Sequence, residues 1–137
     1  MFVPYCAVPS TGFTVFTSKD TTQGRLTFTE VGTNNGNGFN TTTGEFTCSL
    51  AGSYVFSLTL LKSPSTEYAS CKIFKDTTFL GKVLLSTPTA DGWFPMSVTV
   101  YVHLKVGDKV FLDHCAGSTS GDPGSSFTGY LLHMDYM

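Results

Sequence analysis

The chain has 137 residues, 41% of them hydrophobic and only 13% charged, with a net charge of −2, which fits one domain around a single core. Arg25 is the sole arginine, and without a basic stripe to neutralise phosphates a nucleic-acid binder is disfavoured. The eight basic residues are dispersed and no run approaches the roughly 20 apolar residues that span a bilayer, so neither a polybasic membrane contact nor membrane insertion is expected. A mean hydropathy of +0.09 at this low charge points either to apolar surface covered by association or simply to a neutral, Thr-rich surface.

Twenty-one Thr and 14 Ser accompany 12 Phe and 6 Tyr, a composition that favours strands because β-branched and aromatic side chains pack well on a pleated surface. Fourteen Gly and 6 Pro at short intervals interrupt any segment long enough for a helix. The expectation is all-β, with a lead-in over residues 1–11 and one domain over 12–137. Met1-Phe-Val-Pro-Tyr-Cys6 has no basic n-region and too short an apolar stretch to read as a signal peptide.

In chain order, Gly12 to Ser18 alternates Phe and Val with Thr, Arg25 to Val31 reads as a second strand, and Gly32 to Gly38 reads as an Asn/Gly loop. Glu45 to Ser49 and Ser53 to Leu61 flank an Ala51-Gly52 turn. Within the latter, Tyr54, Phe56, Leu58 and Leu60 share one face by the period-two rule. Tyr68 to Lys75 and Phe79 to Leu85 read as a hairpin around Asp76-Thr-Thr78, and Met96 to Lys105 joins Lys109 to His114 through Val106-Gly107-Asp108. Ser126 to Met134 closes the sheet.

Catalytic patterns are poor. His114 and Cys115 are adjacent, but successive strand residues point to opposite faces, so a thiolate–imidazole pair would need a bulge. Gly117-Ser-Thr-Ser-Gly121 places Thr119 where a nucleophile elbow places serine, and it lacks the strand-to-helix setting. His103, His114 and His133 fall on separate strands, and no enzyme is expected. Cys6, Cys48, Cys71 and Cys115 show no zinc spacing. As an even set they allow three complete pairings, and Cys48 and Cys71 also read as small buried thiols.

Two segments carry a binding reading. Asn40-Thr41-Thr42 is a glycosylation sequon in a polar loop. The loop Thr87-Pro-Thr-Ala-Asp-Gly-Trp93 holds the only Trp. There Trp93 could stack on a sugar ring while Asp91 accepts hydroxyl protons, or the indole could instead plug the end of the domain.

Phe28, Asn34, Phe39, Phe46, Gly52, Tyr54, Phe56 and Leu58 are separated by five, four, six and five residues and then by alternate positions. That spacing resembles the signature of the globular head of complement component 1q, a family related to the tumour necrosis factor cytokines. Leu58 stands where an aromatic residue is usual. The resemblance continues through His103-Leu-Lys-Val-Gly-Asp-Lys-Val-Phe-Leu112 and through Phe127-Thr-Gly129-Tyr-Leu-Leu132. It implies a ten-stranded jelly-roll sandwich, a homotrimer and a secreted recognition protein. No Gly-X-Y run is present, so the likeness is to members without a collagen stalk.

The resemblance implies further expectations. Tyr54, Phe56, Phe127 and Tyr130 are assigned to the core or to contacts between subunits. Relatives that pair a cysteine at the Cys71 position use a partner position that carries none here, and in the family's topology the strands of Cys48, Cys71 and Cys115 share a sheet. Relatives that bind calcium do so at positions that fall close to Phe94 and Pro95, whose side chains cannot ligate, with Asp91 nearby but offset, so calcium is left open but unsupported by these residues. The implied ligand is a microbial glycan or lipopolysaccharide, with a cytokine-like or adhesion role toward a protein receptor as the alternative.

Overall fold

Strand formation follows the alternation of apolar and hydroxyl residues, and it is carried through the chain as antiparallel pairs. The computed structural model describes residues 9–17, 21–88, 92–120 and 124–135. Cys6, Asp91 and Asp122 lie outside them. The described residues form eleven strands in order: β1 (Gly12–Phe16), β2 (Thr21–Leu26), β3 (Glu30–Asn35), β4 (Phe39–Asn40), β5 (Glu45–Thr47), β6 (Gly52–Lys62), β7 (Tyr68–Lys75), β8 (Thr78–Ser86), β9 (Phe94–Leu104), β10 (Lys109–Thr119) and β11 (Ser126–Met134).

One continuous hydrogen-bonding path folds into two layers. The first layer runs β3-β1-β11-β6-β9. In the second, β10 lies between β7, which pairs with β8, and a side shared by β2 and β5, with β4 beyond β5. The layers join at one corner, where Thr119 of β10 faces Lys62 of β6. Lys62 is itself buried there, its ammonium donating to the carbonyls of Ser63 and Thr66. This is the jelly-roll sandwich the resemblance implied, with eleven strands among the described residues where ten were expected, because β2 and β3 are separate and the short β4 is added.

The period-two reading of β6 holds along its whole length, every second residue from Gly52 to Lys62 being buried. Tyr54, Phe56, Leu58 and Leu60 point inward with Phe13, Val15 and Phe127 from their neighbours. They meet Leu26, Phe28, Phe39, Phe46, Ile73, Val110 and Leu112. Phe13 lies 4.7 Å from Phe39, 5.3 Å from Phe46 and 5.2 Å from Phe127 between ring centroids. Phe56 and Phe127 stack at 6.0 Å, and Phe28 and Phe127 at 5.9 Å. Of the four aromatics assigned to core or subunit contact, Tyr54, Phe56 and Phe127 are core, while Tyr130 is 43% exposed.

The strand expected over Arg25 to Val31 is two strands. β2 pairs with β10 in the second layer and β3 with β1 in the first, so the chain crosses the sandwich at residues 27–29. Phe28 is fully buried in that crossing. The expected loop Gly32 to Gly38 is correspondingly shorter, because β3 runs on to Asn35 and the reversal is made by Gly36 and Asn37, both at positive φ. Asn34 spans that reversal: its Nδ2 donates to the Phe39 carbonyl at 2.8 Å, and the Phe39 N–H donates to its Oδ1 at 3.1 Å. A side-chain amide thus replaces a backbone pair, which accounts for Asn and an aromatic residue at that spacing.

Gly129 and Gly52 are required by close approach. A Cβ on Gly129 would lie 2.5 Å from two ring carbons of Phe56 and 2.7 Å from Phe13, and one on Gly52 would lie 2.3 Å from the His133 carbonyl oxygen. Gly129→Val is therefore expected to cost about 1–3 kcal/mol by overpacking, and Phe127→Ala about 3–5 kcal/mol by opening a cavity between the layers. Urea unfolding of each variant checks this, and a loss below about 1 kcal/mol for Phe127→Ala would show that the rings are not what joins the layers.

Candidate functional site

The inward faces are spent on the core, so any binding surface lies on the outward faces or at the strand ends. Trp93 sits immediately before β9 and is 49% exposed. Its indole is therefore available at the surface. Asp91, its expected partner, falls outside the described residues, so the structure does not join the two. Phe94 and Pro95, near which the resemblance led calcium positions to be expected, begin β9 and pair with Lys62 and Leu61.

Two other acidic residues, Asp108 and Asp113, are taken up by protein partners. Asp108 Oδ2 accepts the Lys105 N–H at 2.9 Å and lies 3.8 Å from Lys75 Nζ. Asp113 Oδ2 accepts from Arg25 Nε at 3.1 Å, and its Oδ1 accepts the His114 N–H at 2.7 Å. Partial burial works to raise the Asp113 carboxyl, but the His114 amide and the Arg25 guanidinium outweigh it and hold it below the usual carboxylate range. Among the described residues no group of three His, Cys, Asp or Glu is placed to hold a metal ion.

Asn40 ends β4 and is exposed. Its Oδ1 accepts the Thr42 and Thr43 N–H groups at 2.8 and 3.3 Å, an Asx turn of the kind Asn forms locally. His103 pairs with Asp135, Nε2 to Oδ2 2.8 Å, both half-exposed.

The outward face of the first layer is distinctive. Across β1, β11, β6 and β9 it presents Thr14, Thr128, Tyr130, Val55, Ser57, Thr59, Ser97, Thr99 and Tyr101, with no Asp, Glu, Lys or Arg. Its hydroxyls satisfy one another: Thr14 with Thr128 at 3.0 Å, Ser57 with Thr99 at 3.0 Å, and Thr59 with Ser97 at 2.9 Å. Tyr101 is 67% exposed. Sequence reasoning located the alternation in β6 but not this sheet-wide face, which appears only once the register aligns four strands.

The cysteines resolve differently from the buried-thiol reading of Cys71. Cys71 and Cys115 form a disulfide across β7 and β10. A bulge in β10 makes this possible: its register shifts near residues 112–116 and His114 has φ 55°. The bulge that a His114–Cys115 pair would need is thus present, but Cys115 is bonded to Cys71 and is no nucleophile. Cys48 is a buried thiol as expected, its Sγ donating to the Leu50 carbonyl at 3.2 Å beside the Tyr54 hydroxyl at 3.7 Å. Burial pushes the thiol up despite those hydrogen bonds, and burial likewise pushes the Tyr54 phenol well above its ordinary value.

Iodoacetamide is accordingly expected to leave Cys48 unmodified in the folded protein and to label it only after unfolding, since the thiolate is the reactive form. The Cys71 and Cys115 peptides should remain linked until reduction, which should lower stability by about 2–4 kcal/mol. Peptide mapping decides this; native labelling of Cys48 or free Cys71 would contradict the arrangement.

Comparison with known proteins agrees with this geometry. The C1q domain family matches residues 12–132. "Protein HP-25 homolog 2" of Bos taurus is 32% identical over 115 residues, which is 81% of this chain and 51% of that protein. The chain therefore spans about half the length of that curated relative. Among solved structures, the globular domain of zebrafish complement 1qA superposes with a TM-score of 0.74 at 17% identity, covering 91% of this chain and 99% of that one. Murine APRIL superposes with a TM-score of 0.73 at 14% identity, covering 90% and 100%. With the aromatic signature residues in the core and the family match running from β1 into β11, the chain belongs to the C1q domain family, within the fold shared by complement 1q heads and tumour necrosis factor ligands.

Proposed function

We propose that this domain is a secreted, non-enzymatic recognition head that binds microbial surface glycans or lipopolysaccharide in innate immunity, working as a homotrimer. The observation that carries the ligand reading is the half-exposed Trp93 at the start of β9. An indole at the surface offers a flat apolar platform for the CH face of a sugar, and Asp91, two residues earlier, supplies the acceptor in this reading. Such a site is weak alone, and three copies on one trimer raise avidity on a repetitive surface without new contacts. The Cys71–Cys115 disulfide supports an oxidising, extracellular setting, where Asn40 would be open to glycosylation.

A second reading, a cytokine-like or adhesion ligand for a protein receptor, is favoured by Tyr68, Phe79 and Leu84, which are large, apolar and about half-exposed on the β7–β8 hairpin. Protein contacts of this kind would ignore free sugars.

A microbial glycan and lipopolysaccharide array, run with and without a calcium chelator, separates the two. The expected result is saturable binding competed by free saccharide and weakened at least about tenfold by Trp93→Ala, with Asp91→Ala weakening it as well. A blank array, or a Trp93→Ala protein that binds unchanged, would remove the saccharide reading.

A further inference from the structure

The outward face of the second layer carries a feature that the saccharide reading does not use. Register places Phe111 of β10 opposite Phe74 of β7, and Phe74 opposite Phe79 of β8. Phe74 and Phe111 lie near-parallel with centroids 5.9 Å apart, and Phe79 meets Phe74 edge-on at 6.3 Å. From β2, Arg25 lays its guanidinium over Phe111, Cζ 3.9 Å from the ring centroid. Beside this row lies an open cavity of about 300 Å³ whose walls include Phe74, Phe111 and His114, with Asp76 and Asp113 among its polar groups.

Two observations set this cavity apart from an ordinary aromatic ladder. Among the described residues three non-glycine positions have positive φ, and two of them, Asp76 at 51° and His114 at 55°, border it. Asp76 takes this φ in the two-residue turn between β7 and β8, and His114 takes it in the β10 bulge, so that both residues come to the cavity. The β10 bulge carries His114 to within 5.1 Å of the Phe74 ring. The Asp76 N–H donates to the Lys109 carbonyl at 2.8 Å, and Asp76 Oδ1 accepts the Lys109 N–H at 3.3 Å, which fixes the carboxylate at the cavity edge.

Charge then selects the ligand. Arg25 is answered by Asp113 at 3.1 Å and Glu45 at 3.2 Å. Among the described residues no cationic side chain forms an ion pair with Asp76. The lining therefore holds one positive and two negative groups, a surplus of one carboxylate beside phenyl faces. Lys72, the next outward residue along β7, is not part of the lining. Aromatic faces attract cations through their quadrupole, and Arg25 on Phe111 already shows a guanidinium accommodated on this row. We infer that this cavity is a binding site for a cationic side chain of a partner protein, a guanidinium or alkylammonium group on an apolar stem, held between the Phe74 ring and the Asp76 carboxylate. The inference stands apart from the saccharide reading of Trp93, and either can fail alone.

The test is an amide-resolved NMR titration of the whole protein with N-acetyl-arginine amide, with N-acetyl-citrulline amide as its uncharged match and with glucosamine as a cationic sugar. Saturable shifts at Phe74, Asp76 and His114 with the arginine probe are expected, at least about threefold stronger than with citrulline. Asp76→Asn keeps a residue that tolerates the left-handed region and is expected to weaken the arginine probe by about threefold. Phe74→Leu keeps an apolar side chain on β7, removes the aromatic face and should weaken it by a similar factor. Equal binding of arginine and citrulline, shifts that map elsewhere, unchanged affinity in Asp76→Asn, or tighter binding of glucosamine than of arginine would each overturn the proposal.

Discussion

The two layers of this sandwich are held together by aromatic rings rather than by backbone. Apart from the corner where Thr119 meets Lys62, strand pairing stays within each layer, so what joins the faces is Phe13, Phe56 and Phe127 packed against Phe28, Phe39 and Phe46. Offset and edge-on pairs of this kind add about 0.5–1.5 kcal/mol each beyond the area they bury. The disulfide does not share this task, since Cys71 and Cys115 are neighbours within the second layer. Gly129 is part of the same constraint: it leaves the space that the Phe56 and Phe13 rings occupy.

That division explains what could be read from residues alone. Alternation in β6, the hairpin around Asp76 and the antiparallel run into β11 are local patterns of period two, and each appears where the chain spells it. The Arg25 to Val31 segment misleads because its Leu, Thr, Phe and Val suit a strand and no Gly or Pro interrupts them, while the break at residues 27–29 is a tertiary event, the passage from one layer to the other. Propensity does not encode which sheet a strand joins. The Cys71–Cys115 bond was hidden for a similar reason: the bulge around His114 shifts the register that brings the two cysteines together, and a bulge leaves little trace in sequence.

With the rings turned inward, function falls to surfaces of different character. Across β1, β11, β6 and β9 the first layer shows water a field of Thr, Ser, Val and Tyr without Asp, Glu, Lys or Arg, whose Thr and Ser hydroxyls already bond to one another, which lowers the cost of covering it. The second layer shows an aromatic row edged by carboxylates and crossed by the only arginine. Trp93 lies at a strand end. Only the indole was legible beforehand, because a lone Trp is conspicuous, whereas faces require several strands in register.

The uncharged face bears most directly on the proposed homotrimer, because a surface without charges to desolvate is the one on which copies of the head would meet at least cost. Sedimentation equilibrium of the native protein and of Thr99→Lys, a variant that sets a charge in the middle of that face, is the measurement to make. A native mass near three times 14.8 kDa is expected, with a folded Thr99→Lys protein shifted toward monomer. A native protein that stays monomeric across concentrations, or a trimer indifferent to Thr99→Lys, would contradict association through this face.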